Sequence, residues 1–344
     1  MKKSSKRTAT KKSLPRILVL FCGGTIVMRT DAHGTLQMQS RVEAVNALLE
    51  LEPKLHNLAR LSVRYIANID SSNIEPAHWD TIAQAIQESY NDYDGFVITH
   101  GTNTLGYTAS ALSFALPKIG KPVVITGAQI PGYKIETDGR RNFVNAVRVA
   151  LLDIAGVMAV FDEEIILGAR ASKVSESKLD AFETINGEDL GEIRTHIRLH
   201  PDHARRHAEP LQIMTGFNPR VAVVTLTPGF TPSILEHLIS TGIHGIILRG
   251  YGPGDVPYAL LPALKKAQRA KIPVVMTTQC IEGVTAMHMN DVGQQALNAG
   301  VIQAFNISLE AAVTKLMWLL PRYNTVEEIK TQLHTNYCGE ITTN

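Results

Sequence analysis

Two threonines stand where a chain can carry out acyl-transfer chemistry. Thr25 follows Ile17-Leu18-Val19-Leu20-Phe21-Cys22-Gly23-Gly24, and Thr102 lies in Val97-Ile98-Thr99-His100-Gly101-Thr102-Asn103-Thr104. Each hydroxyl comes after an apolar, β-branched run and a glycine, the pattern of a buried parallel strand that breaks into a tight turn. Open α/β sheets bind ligands beyond the carboxyl ends of their strands, and a glycine turn lets backbone N–H groups approach a ligand closely. A hydroxyl beside free amides supplies both a nucleophile and oxyanion donors. One Gly-Thr after a strand is ordinary turn chemistry; two in one chain point to a shared site.

A third candidate site follows the run 61–66. Asp70, Ser71 and Ser72 precede a helix start at Glu75-Pro76. Hydroxyls and unpaired N–H groups at such a start suit an anion and equally make a helix cap.

These residues need a scaffold, and the periodicity supplies one. Strand-like runs lie at 17–21, 61–66, 95–99, 122–126 and 157–161, separated by helix-period segments at roughly 41–51, 77–91, 105–117 and 139–153. Residues 163–195 read as irregular or hairpin-like. A second βα series places strands at 220–226, 245–248 and 272–277, and helices at 233–240, 259–269, 308–320 and 325–335. Alternating β and α segments predict two α/β domains, each a mainly parallel sheet flanked by helices. The expected division is a basic disordered tail at 1–15, an N-terminal catalytic α/β domain at 16–195, a linker at 196–217 and a C-terminal α/β domain at 218–344. The linker contains His200, His203 and His207; no cysteine or acidic cluster completes a metal site around them, so they read as polar linker residues. Gly-x-Gly-x-x-Gly is missing after Leu20 and there is no P-loop, which excludes the common nucleotide-binding signatures.

Composition bounds the setting. The 344 residues are 44 % hydrophobic, enough for two sizeable cores. Net charge is +2, but residues 1–16 hold seven Lys/Arg and no acid, leaving the body at −5. The tail lacks the apolar segment of a secretory signal, and no later window approaches a membrane-spanning run. Three cysteines, Cys22, Cys280 and Cys338, make an odd count that argues for a reducing compartment. The expectation is a cytoplasmic protein with neither membrane nor nucleic acid as partner.

Gly23-Gly24-Thr25-Ile26 and His100-Gly101-Thr102-x-Thr104 resemble the two active-site signatures of the bacterial L-asparaginase family, with the cytoplasmic type I branch as the nearest match. The resemblance continues at Asp70-Ser71-Ser72-Asn73, Gly120–Pro131, Ala171-Ser172-Lys173, Thr278-Gln279-Cys280 and Gly339-Glu340-Ile341-Thr342. It implies a larger N-domain, a smaller flavodoxin-like C-domain, and a homodimer or homotetramer. It implies hydrolysis of an asparagine-like amide, L-asparagine to L-aspartate and ammonia, through a threonyl acyl-enzyme with no cofactor and no metal. Thr25 takes the role of nucleophile, with Thr102 and Lys173 handling protons and activating water. Ser71, Ser72 and Asn103 would bind substrate, and Ala128 would contact the amide through its backbone. Taken alone, Lys173 reads as a surface lysine; only the Ala-Ser-Lys match singles it out.

Two positions depart from the family pattern. The second signature normally carries aspartate where this chain has Asn103, and that aspartate pairs with the substrate α-ammonium. The family also carries a tyrosine in the loop after the nucleophile, where this chain has Gly34-Thr35; Tyr133 is a candidate stand-in. Three further readings follow: a weak or inactive asparaginase-like ligand-binding protein, an amidase for asparagine lacking a free α-ammonium, and an amidotransferase subunit. The third is disfavoured because such subunits carry an additional domain before the first signature.

Overall fold

In the first half of the chain, strands and helices alternate as the periodicity requires. A computed structural model describes residues 13–37 and 39–342; most of the basic tail therefore lies outside the described residues. β1 (Arg16–Phe21) leads through a two-residue ladder, β2 (Arg29–Thr30) with β3 (Leu36–Gln37), to α1 (Arg41–Glu50) and β4 (Arg60–Tyr65). There follow α2 (Pro76–Ser89), β5 (Gly95–Thr99), α3 (Leu105–Ala115), β6 (Pro122–Thr126), α4 (Gly139–Ala150) and β7 (Gly156–Phe161). Short strands come next: β8 (Glu164–Leu167), β9 (Ala171–Lys173), β10 (Phe182–Thr184), β11 (Gly191–Ile193) and β12 (Ile197–Leu199). The second half holds β13 (Val221–Thr225), α5 (Pro232–Ser240), β14 (Gly245–Gly250), α6 (Leu261–Arg269), β15 (Val274–Thr278), α7 (Asp291–Asn298), β16 (Val301–Gln303), α8 (Leu309–Leu319) and α9 (Val326–Leu333).

The large sheet has eight strands in the order β12-β11-β8-β7-β6-β5-β1-β4. β4, β1, β5, β6 and β7 run parallel, and β8, β11 and β12 extend the sheet antiparallel. The chain leaves β1 for β4 on one side and returns to β5 on the other. That reversal opens a crevice between the carboxyl ends of β1 and β5, where a doubly wound sheet binds its ligand. The smaller sheet, β13-β14-β15-β16, is parallel throughout and runs in sequential order; the order switch associated with flavodoxin-type folds lies in the larger sheet. The fold is thus the expected two-unit α/β architecture with flanking helices.

The 163–195 region resolves into the β8–β11 strands. The stretch read as a linker contributes β12 as the edge strand of the large sheet and stays attached to it beyond that point. Ala155 N–H donates to Ala204 O at 2.8 Å, and Arg206 spans the carbonyls of Leu152 and Ala150 at 2.6 and 2.7 Å. His200 meets Glu188 at 2.9 Å, and His203 bonds the His200 and Asp153 carbonyls at 2.6 and 3.1 Å.

Local chemistry sets the helix ends. Ser40 and Glu43 cap α1 reciprocally, as Thr325 and Glu328 cap α9. Pro76 sits in the first turn of α2, where its missing N–H costs nothing. Almost all of α3 is buried, as its apolar and small-residue composition requires. It packs between the large sheet and α8: Phe114 stacks on Trp318 at 5.8 Å, and Thr314 Oγ1 donates to Ser110 Oγ at 3.0 Å. One apolar cluster therefore runs from Phe96 and Leu112 of the N-terminal unit to Ile247, Val275, Leu316 and Trp318 of the C-terminal unit. No helix among the described residues is long and apolar enough to cross a membrane.

Candidate functional site

The crevice beyond β1 and β5 is crowded because three strand ends converge there. Gly24 adopts φ 100°, and a Cβ on it would lie 2.7 Å from the His100 carbonyl. A Cβ on Gly101 would lie 2.6 Å from Ser71 Oγ. Glycine at both places lets the loop after β1 meet the backbone of the loop after β5, and lets that loop meet the Ser71 side chain. A cavity of about 210 Å³ results, lined by Thr25, Met28, Asp70, Ser71, Thr102, Asn103, Gln129, Lys173 and Glu176, with Gly24 and Gly101.

Thr25 opens a single 3₁₀ turn and is half-buried. Thr102 begins the corresponding turn before α3 and is 6 % exposed. Lys173 ends β9 and donates from Nζ to Thr102 Oγ1 at 2.8 Å and to Asn103 Oδ1 at 3.2 Å. Thr102 donates in turn to Gln129 Oε1 at 3.0 Å. Gln129 is oriented by its own amide, which donates to the Glu176 and Lys178 carbonyls at 3.0 and 3.2 Å. Burial lowers the Lys173 pKa, and the field of Glu176 opposes that shift.

The supports around these groups are built from buried polar residues. His100 is 1 % exposed, and burial pushes its pKa down to about 4. Its Nδ1 donates to Gly101 O at 2.7 Å, so Nε2 accepts from Thr108 Oγ1 at 2.9 Å. Trp79 Nε1 donates to Thr108 Oγ1 at 3.0 Å and completes the chain. This neutral histidine fixes the turn that presents Thr102. On the other side, Asp138 accepts from Gln129 N–H at 2.9 Å and Ile130 N–H at 2.9 Å, which shapes the loop after β6.

The Ser71 turn is capped by Asp70, whose Oδ1 accepts from Ser72 N–H at 2.8 Å. Ser71 lines the cavity, whereas Ser72 sits at the rim and accepts from Asn103 Nδ2 at 3.3 Å. Ala128 is 1 % exposed and its methyl joins the core; Gln129 is the residue whose side chain reaches the cavity from this loop. Gly34 and Thr35 lie at the exposed tip of the β2–β3 ladder, where Asp31 Oδ1 accepts from Thr35 N–H at 2.9 Å. Tyr133 bonds Thr30 Oγ1 at 2.5 Å and is not among the cavity-lining residues.

Lys173 owes its position to the C-terminal half. Arg170, 4 % exposed, donates to Gly339 O at 2.9 Å and Asn306 O at 3.0 Å. Ser172 Oγ donates to Glu310 Oε1 of α8 at 2.7 Å. Sequence reasoning missed Gln129, Asp138, Arg170, Glu176 and Glu310. Only Gln129 carried a local signal, as the neighbour of Ala128 in the Gly127-Ala128-Gln129 run.

Comparison with known proteins follows the same lines. Residues 16–205 match the family model described as Asparaginase, N-terminal, and residues 220–333 match Glutaminase/Asparaginase C-terminal domain. An L-asparaginase from Thermococcus kodakarensis is 38 % identical over 95 % of this chain and 99 % of its own length. A subunit of the glutamyl-tRNA(Gln) amidotransferase from Pyrococcus abyssi is 33 % identical over 96 % of this chain and 78 % of its own length. Among solved structures, the thermostable L-asparaginase from T. kodakarensis superposes with a TM-score of 0.88 at 37 % identity, covering 96 % of this chain and all of its own. L-asparaginase I from Vibrio cholerae gives 0.87 at 31 %, with the same coverage. With both halves matched by the family's domains, and with an L-asparaginase aligned along nearly its whole length, the chain belongs to the asparaginase family of amidohydrolases.

Proposed function

We propose that this protein hydrolyses the side-chain amide of L-asparagine, giving L-aspartate and ammonia through a threonyl ester. The observation that carries the reading is the 2.8 Å contact between Lys173 Nζ and Thr102 Oγ1 in the cavity that Thr25 also lines. Thr25 Oγ1 bonds to the amide carbon, its proton passes to the leaving nitrogen, and the C–N bond breaks to release ammonia. A water molecule then attacks the ester. Neutral Lys173 accepts the water's proton through Thr102, and the Thr25 oxygen leaves and takes that proton back from the Lys173–Thr102 pair. Burial, by favouring the uncharged amine, suits Lys173 to this task. The Ser71–Ser72 turn receives the substrate carboxylate, and the backbone at Ala128 receives the amide.

The match to an L-asparaginase at 38 % identity over 99 % of its length supports the hydrolase reading. V. cholerae L-asparaginase I and a probable cytoplasmic L-asparaginase from Campylobacter jejuni are among the structural neighbours. They support assignment to the cytoplasmic type I branch. The test is ammonia release from L-asparagine, L-glutamine and N-acetyl-L-asparagine, with Thr25→Ala as control. Release from L-asparagine that Thr25→Ala abolishes is the expected result. Release only from the acetylated compound would redirect the reading to an amidase for asparagine lacking a free ammonium. Release from none would leave a ligand-binding protein.

A further inference from the structure

A zwitterionic amino acid brings an ammonium as well as a carboxylate into the cavity, and the ammonium requires an anion or an array of acceptors. Asn103 is poorly placed to supply one. Its Oδ1 already accepts from Lys173 at 3.2 Å, and its Nδ2 donates to Ser72 Oγ at 3.3 Å. Two acidic residues line the cavity, Asp70 and Glu176. Asp70 is committed to the backbone, capping Ser72 N–H at 2.8 Å on the side of the serines. Among the described residues, the Glu176 carboxylate makes no hydrogen bond and no ion pair.

The segment bearing Glu176 is nevertheless held in place. Its carbonyl accepts from Gln129 Nε2 at 3.0 Å, and Ser175 Oγ accepts from the N–H groups of Ser177 and Lys178 at 3.3 and 3.1 Å. The turn is thus fixed by the same glutamine that accepts from Thr102. Glu176 is exposed and lies among the residues that line the cavity, and no described group competes for its carboxylate, which leaves that carboxylate open to a cation.

From this placement we propose that Glu176 is the specificity-determining residue for the α-ammonium, recognising amides that carry a free amino group beside the carboxylate. The inference rests on the proposed asparagine chemistry for its substrate class, but its test has an arm independent of turnover.

The test compares L-asparagine with succinamic acid, the same molecule with hydrogen in place of the ammonium, in the wild type, Glu176→Gln and Asp70→Asn. Glu176→Gln should lower kcat/KM for L-asparagine by about 10- to 100-fold, mainly through KM, and change succinamic acid by less than about threefold. Calorimetric binding of L-aspartate and succinate to the same three proteins needs no catalysis. The wild type should prefer L-aspartate, and Glu176→Gln should lose that preference. An equal response of both substrates to Glu176→Gln overturns the proposal. So does a preference lost in Asp70→Asn but kept in Glu176→Gln, or the binding of neither product. A wild type that hydrolyses no amide, yet loses its preference for L-aspartate on Glu176→Gln, would refute the asparaginase reading and leave this one standing.

Discussion

Replacing Glu340 by glutamine removes one charge from a pair that no water reaches. Lys315 of α8 and Glu340 near the C-terminus are both 0 % exposed, with Nζ and Oε1 2.5 Å apart. The ammonium is completed by the carbonyls of Leu333 and Thr335, each at 2.7 Å. The carboxylate accepts from the N–H groups of Cys338 and Tyr337 at 2.9 and 3.1 Å. The isosteric amide keeps the shape and some of these bonds but leaves the lysine as an uncompensated buried charge, which costs about 3–5 kcal/mol. At about 2.1 cal/mol/K per residue, a chain of this length unfolds with an entropy near 0.7 kcal/mol/K, so Tm should fall by about 4–7 °C. Differential scanning calorimetry measures this directly. Lys315→Met should cost a similar amount, and the double variant should cost roughly as much as either single one, because the second change removes the charge stranded by the first. The pH dependence has a definite sign. Burial alone would raise the Glu340 carboxyl, but Lys315 and the backbone donors outweigh it and hold the group below the usual carboxylate range. Its contribution is present above the unfolded pKa of about 4.3 and lost as pH falls through the folded value. The gap between wild type and Glu340→Gln should therefore be constant from about pH 6 to 8 and close in acid. Additive single and double variants, or a gap that widens in acid, would refute this account.

Asn103→Asp sets a full charge against Lys173 at the 3.2 Å seen for the amide. Screening by the open cavity leaves about 1–3 kcal/mol, so the acid limb of the kcat profile should move up by about one to two pH units; an unmoved limb would contradict a neutral Lys173 as base. Lys173→Met should abolish turnover while shifting Tm by less than about 3 °C, checked by ammonia release and calorimetry. Tyr133→Phe removes the hydroxyl that bonds Thr30 and should loosen the β2–β3 ladder beside Met28. The expected readouts are faster proteolysis near residues 31–35 and a KM raised by a few-fold, with kcat nearly unchanged.

What could be read from the sequence was what is written locally. The run 17–21 and the Gly-Gly-Thr after it identify a strand and its turn without outside information, and so does the stretch 95–102. α3 was legible from its composition, since apolar and small residues on every face leave no side for solvent. β16, with three residues, was too short to show a period, and α7, Asp-Val-Gly-Gln-Gln-Ala-Leu-Asn, carries too polar a sequence. β8, β11 and β12 are strands because they pair with one another and with β7, a property of the partners rather than of any one segment. The site divides in the same way. Thr25 and Thr102 sit in local motifs, whereas Arg170 and Ser172 act through Gly339 and Glu310, far along the chain. No spacing rule could reveal Glu176, whose significance depends on the Asn103 amide being already committed.

The burial of α3 beneath α8 has a consequence for how the protein is made. Every residue of the proposed catalytic set through Lys173 is translated before the helix that covers α3 exists. At about 5–20 residues per second, the roughly 200 residues between the end of α3 and the end of α8 take about 10–40 s to synthesise. Throughout that interval the outer face of α3, including Phe114, lacks its native cover, although the strands on its other face are complete once β7 has been made. The nascent chain thus presents an apolar helix adjoining a half-formed active site, which is what a chaperone holdase binds. The N-terminal unit expressed alone would meet the same exposure permanently, so the boundary visible in the topology is not a boundary at which the chain can be cut.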